Sequence, residues 1–159
     1  LTIAISQARS RPSRILTAIL AGGLTAGVFD FCVACAESGL PPMTIGKAVA
    51  RGWFGKAAMQ GGADVALIGI ASHFAIMLAF AAAYVLVSLR APILRRLFFL
   101  AGPVYGAAIF FFMRYVVMPL SAAGFAMPRP PVLYYEFAGH MFLVGLVIAG
   151  AARMFVGRD

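Results

Sequence analysis

The sequence predicts an all-α integral membrane protein: a four-helix bundle with a short interfacial helix in the first outer loop. Three observations carry this. Of 159 residues, 63% are hydrophobic and 11% charged, whereas a soluble domain is about 45–50% apolar and about 25% charged. A chain of this length has too little interior to hide so much apolar surface, so lipid must solvate part of it. The apolar residues also gather into four runs, each near the ~20 residues that a helix needs to cross a bilayer. The 17 glycines and nine prolines agree, because both are commoner in membrane helices than in soluble ones.

The first span is expected over residues 15–36. It stops at "SGLPP", where Gly39 can cap a helix and Pro41 and Pro42 cannot extend one. The following loop contains "MTIGKAVARGWFGKAAM", with Thr44 as a candidate N-cap, apolar residues between Lys47, Arg51 and Lys56, and the sole tryptophan, Trp53. It reads as a helix lying in the interface, with a re-entrant segment as the alternative. The second span is expected over 65–89, with Asp64 as N-cap. The link "RAPILRR" is short, so the second and third spans should form an antiparallel hairpin. The third span, 97–118, ends at Pro119 and carries Pro103 inside it, where it could kink the helix and free a carbonyl. A proline-rich link, "PLSAAGFAMPRPP", leads to the fourth span at 132–156. The domain reading is a basic cytoplasmic segment at 1–14 and a single membrane domain at 15–156.

The formal net charge is +8. The basic residues stand at segment ends and form no stripe, which argues against nucleic acid and for lipid headgroups as partners. Four spans put both termini on one side. That side would hold Arg9, Arg11, Arg14, Arg90, Arg95, Arg96, Arg153 and Arg158. The other would hold Lys47, Arg51, Lys56 and Arg129. The positive-inside rule then places both termini in the cytoplasm of a bacterial inner-membrane protein. A rival reading makes the first span a cleaved secretory signal, because basic residues precede an apolar run ending in "ACA". Asp30 within that run argues against it.

Five ionisable residues fall inside spans: Asp30, His73, Arg114, Glu136 and His140. Charges at the centre of a membrane helix are costly and usually face the bundle interior. At ~1.5 Å rise per residue, all five fall within ~12 Å of the outer end of their span, and every span supplies at least one. On span one, Gly23, Gly27, Asp30 and Ala34 share a face that includes the small-xxx-small pattern "GLTAG". Gly62, Ala66, Gly69 and His73 repeat that spacing on the second. Glu136 and His140, four apart, should share a face with Leu143 and Val147. Arg114 does not align with Gly102 and Gly106, and could simply snorkel to the headgroups.

This pattern supports several chemistries. A polar pocket of Asp30, His73, Arg114, Glu136 and His140 could pass a small solute or a proton, with protonation of the carboxylates and imidazoles as the switch. The same groups could be interhelical hydrogen bonds without further role. His73 and His140, at similar depth, could ligate a b-type haem or a metal ion. Glycine faces and aromatic surfaces could dock a partner subunit or a second copy in an accessory role. Cys32 and Cys35 form "CVAC" near a helix C-terminus, where the dipole disfavours thiolate, so packing is the simpler account. No nucleophile and base stand at a recognisable spacing, and no enzyme activity is expected.

Several stretches resemble the YagU-like small inner-membrane proteins of bacteria: "AGVFDF", "ARGWFGKAAMQGG", "LIGIASHFAIMLAFAAAY", "AGPVYGAAIFFFMRYVVMPLS", and His140 in the last span. The likeness runs from about Leu16 to Val156 and leaves out the basic amino-terminal stretch. It implies emphasis on Asp30, His73 and Pro119, and it implies no reaction.

Overall fold

The computed structural model describes residues 11–124 and 127–157. Arg9, Arg158, the side chain of Arg11 and most of the basic amino-terminal segment lie outside the described residues. In order, the elements are α1 (Arg11–Ser38), α2 (Pro42–Phe54), a 3-10 turn (Gly55–Gln60), α3 (Ala63–Arg90), α4 (Ile93–Arg96), α5 (Phe98–Phe112), a π-helical segment (Met113–Val117), α6 (Met118–Leu120), α7 (Val132–Gly139), a second π-helical segment (His140–Gly145) and α8 (Leu146–Val156). Four helical stretches among the described residues are long and apolar enough to cross a membrane: Pro12–Ser38, Ala63–Arg90, Phe98–Leu120 and Val132–Val156. They are spans one to four. The end of the bundle with the chain termini is the terminal end; the opposite end is the distal end.

Span one ends as its sequence dictates. Gly39 adopts φ +65°, a conformation disfavoured for residues with a Cβ, and the prolines come next. The span reaches Ser38, so Glu37 belongs to it. α2 starts at Pro42 with Pro41 as its N-cap, because the fixed φ of proline suits a first helical position. Thr44 is therefore inside the first turn instead of capping it. Gly62 caps α3, and Asp64 lies in its first turn, where its charge complements the helix dipole.

Glycines set the helix crossings. A Cβ on Gly69 would overlap the carbonyl oxygen of Gly46, which locks α2 against the distal part of α3. Gly102 and Gly106 of span three meet His140 to Leu146 of span four, and a Cβ on Gly106 would overlap the His140 carbonyl. Gly22 of span one faces Ile148 and Ala151, while Gly23 and Gly27 face Phe74, Leu78 and Ala81. Spans therefore pack closely in the order two, one, four, three.

Spans two and three are joined by the short link as expected, but they do not pack closely. The two run antiparallel, but large side chains hold their backbones apart. Tyr84 and Tyr105 rings lie 5.0 Å apart, Phe80 and Phe112 rings 6.0 Å apart, and the Tyr105 hydroxyl donates to the Phe80 carbonyl at 2.8 Å. The short link makes them neighbours in sequence; the glycines direct the close approach of each to a different helix.

The apolar core sits toward the terminal end, around Tyr84, Val85, Val144, Ile148, Ala149 and Ala152. Below it Arg95, only 4% exposed, donates from Nε to the Gly157 carbonyl at 2.9 Å and from Nη1 to the Ser88 carbonyl. Arg153 lies over the Phe98 ring at 4.4 Å. Two of the arginines expected to mark the membrane side are thus also parts of the bundle.

Candidate functional site

The distal half of the bundle is hollow. A cavity of about 950 Å³ is lined by residues of all four spans and of α2. Spans two and three flank it with Ile76, Met77, Phe80, Ile109, Phe112 and Met113. α2 roofs it, tied to span two by a hydrogen bond from the Trp53 indole N–H to Ser72 Oγ (2.9 Å). It is tied to the end of span three by the Ala122 N–H donating to the Gly52 carbonyl (3.0 Å).

All five ionisable residues expected within the spans line this cavity. Arg114 and Glu136 form an ion pair between spans three and four, with the Arg114 guanidinium also 5.5 Å from the centre of the Phe110 ring. Arg114 thus points into the bundle and does not snorkel. Asp30 Oδ1 of span one lies 3.8 Å from His140 Nδ1 of span four. That is too long for a hydrogen bond but close enough for attraction once the imidazole is charged. His140 Nδ1 is also 2.8 Å from the Glu136 carbonyl oxygen. A carbonyl can only accept, so Nδ1 carries the proton and Nε2 stays open. His73 Nε2 lies 2.9 Å from the Gly27 carbonyl oxygen, so by the same logic His73 donates through Nε2. Its ring is wedged between Phe31 and Phe74 at 5.4 and 5.2 Å. A Cβ on Gly27 would press on the Phe74 ring, which packs against His73.

Two of these groups stand in π-helical segments. One segment, Met113–Val117, contains Arg114; the other, His140–Gly145, begins at His140. A π turn takes in an extra residue and rotates the helix beyond it. The first precedes Pro119, which has no N–H for the Tyr115 carbonyl and crowds it. The second lies where Gly106 presses on the His140 carbonyl. The buried face below His140 consequently continues at Val144 and Ile148. Leu143, expected on that face, is turned outward at 36% exposure.

The cavity also takes in two charged residues that were not expected at the site. Glu37 and Arg51 line it, and Glu37 Oε1 and Arg51 Nε are buried atoms without a hydrogen-bond partner. Glu37 was legible, since it is seven residues beyond Asp30 on the same helical face, but it fell past the expected end of span one. Arg51 carried no such signal, because only the docking of α2 brings it here. Cys32 and Cys35 are unbridged, with Cys32 exposed on the helix surface.

Among the described residues no group of three or more His, Cys, Asp or Glu side chains is arranged to hold a metal ion. His73 is engaged with Gly27 through Nε2 and His140 with Glu136 through Nδ1, which leaves Nδ1 of the first and Nε2 of the second as the open ring nitrogens. Comparison with family models, curated proteins and solved structures finds no match. The chemistry of the site therefore rests on its own residues.

Proposed function

We propose that this chain is a bacterial inner-membrane protein that binds a small polar solute in the distal cavity. Protonation of the facing carboxylates and imidazoles would couple that binding to proton or solute passage. The observation that carries the reading is the meeting of Asp30, Arg114, Glu136 and His140, from three spans, at one level of one cavity. Three carboxylates (Asp30, Glu37, Glu136), two guanidiniums (Arg51, Arg114) and two imidazoles (His73, His140) face it. With both imidazoles neutral its formal charge is one negative unit; a single added proton neutralises it. Protonating His140 would strengthen its attraction to Asp30 and draw span four toward span one. The packed layer of Tyr84, Tyr105 and Val85 lies between the cavity and the terminal end, which supports reading the cavity as half of a path, with α2 over its distal mouth.

Arg14, Arg90, Arg95, Arg96 and Arg153 at the terminal end support a cytoplasmic location for the termini. The motif likeness supports affiliation with the YagU-like proteins. The accessory-subunit and self-association readings have less support, because the glycine faces invoked for docking close the bundle itself. The haem reading would have to use Nδ1 of His73, because Nε2 is engaged with Gly27.

The test is proton flux into proteoliposomes holding the purified protein, across a pH series. Wild-type protein should conduct above empty vesicles in a pH-dependent manner, and Asp30→Asn or Glu136→Gln should lower the flux about tenfold or more. Wild-type flux equal to that of empty vesicles at every pH sinks the reading.

A further inference from the structure

We infer that the occupant of the cavity is a zwitterionic membrane lipid whose headgroup carries a primary ammonium and a phosphate, with an acyl chain leaving between spans two and three. This rests on the reading above that the distal cavity takes a ligand, and it puts an amphiphile in place of the small polar solute. Two residues of opposite charge, Glu37 and Arg51, line the same cavity, and each holds a buried atom without a partner: Glu37 Oε1, an acceptor, and Arg51 Nε, a donor. Buried polar atoms without partners are uncommon and call for one. An ammonium N–H donates to Glu37 and a phosphate oxygen accepts from Arg51, so one headgroup answers both. The other cation, Arg114, is already compensated by Glu136.

Depth agrees with this assignment. Glu37 is the next-to-last residue of span one, and Arg51 lies on the distal roof helix, the level of headgroups at a membrane surface. Deeper in, the wall turns apolar at Ile76, Met77, Phe80, Ile109, Phe112 and Met113, which suits an acyl chain and leaves a purely polar solute nothing to bond. The polarity gradient of the cavity thus runs parallel to that of the bilayer. Spans two and three touch through aromatic rings and not through close backbone packing, so rotation of Phe80 and Phe112 opens a side entrance without breaking a helix–helix seam. An anionic headgroup would meet the carboxylates of the cavity without a cation of its own. A quaternary choline has no N–H to give Glu37.

The experiment exchanges full-length purified protein into micelles containing equal amounts of phosphatidylethanolamine, phosphatidylcholine and phosphatidylglycerol of identical acyl chains. Retained lipid is then counted by mass spectrometry. Ethanolamine lipid should exceed the other two by about tenfold, and Glu37→Gln and Arg51→Met should each abolish that preference. Both variants are checked for an unchanged helical spectrum and a monodisperse profile; Glu37→Asp, which keeps the charge, should retain part of the preference. Equal retention of the three lipids by wild-type protein overturns the inference, as does a preference unaffected in both folded variants. Soluble phosphoethanolamine competing as well as the diacyl lipid overturns the amphiphile and leaves the solute reading standing. Selective retention without proton flux sinks the passage reading and keeps this one; flux without selective retention does the reverse.

Discussion

The two ends of this bundle use the same kinds of residue to opposite effect. At the terminal end polar side chains are committed to backbone carbonyls. Arg95 donates to Ser88 and Gly157, the Tyr84 hydroxyl to Leu94 at 2.9 Å, and the Ser88 hydroxyl to Val85 at 2.7 Å. Carbonyls are fixed and cannot titrate, so the acceptor side of those bonds does not change with pH. At the distal end charged groups face one another across open volume. Arg114 pairs with Glu136, Asp30 stands 3.8 Å from His140, and Glu37 and Arg51 each keep an unsatisfied atom. A guanidinium is a structural rivet in one place and a reactive face of a cavity in the other. What differs is whether its partner is backbone or another ionisable group.

The contrast can be broken most severely at the seam that separates the two ends. Gly106→Leu would drive a side chain into the His140 carbonyl, a backbone clash that should cost more than ordinary overpacking, which is about 1–3 kcal/mol. The expected outcome is loss of a monodisperse protein on size exclusion, or a large fall in the melting temperature in detergent. Next in size, Arg95→Ala leaves the Ser88 and Gly157 carbonyls without their charged donor. With hydrogen bonds to charged groups at about 1.5–3 kcal/mol each, denaturant titration should show about 3 kcal/mol of destabilisation.

The distal end should respond more mildly. A double-mutant cycle of Arg114→Met and Glu136→Gln should give a coupling near 1 kcal/mol, because the pair is partly solvated. A coupling equal to the Arg95 effect would show that the distal pair is also a rivet. Smallest of all, Trp53→Phe removes the indole bond to Ser72 while Trp53 stays 68% exposed. Its cost should be about 0.5–1 kcal/mol, with the change felt in solute or lipid retention more than in melting.

Much of the distal site is legible in the chain alone, and the reason is scarcity. Ionisable groups are so rare inside apolar runs that Asp30, His73, Arg114, Glu136 and His140 stand out individually, and helical rise fixes their depth to within a turn. Their partners are harder to read. On a straight helix Arg114 falls off the glycine face, and it stands in the wider turn at Met113–Val117, which the sequence does not announce. The same effect moves the buried face of span four from Leu143 to Val144 and Ile148, while Val147 stays partly buried against the core. Hydropathy could not signal the shift, since all of these residues are apolar and both lipid and core accept them.

The sequence by itself determined the solvent, the number of spans, the stop at Gly39 and the depth of the ionisable side chains. Each of these comes from local composition and from the fixed rise of a helix. Tertiary structure alone decided which helices touch, how far each is rotated, and that α2 folds over the distal end to bring Arg51 to the same cavity as Glu37. Those outcomes depend on where glycines of different helices meet, and a carbonyl lodged against a glycine on another span leaves no mark in the sequence of either.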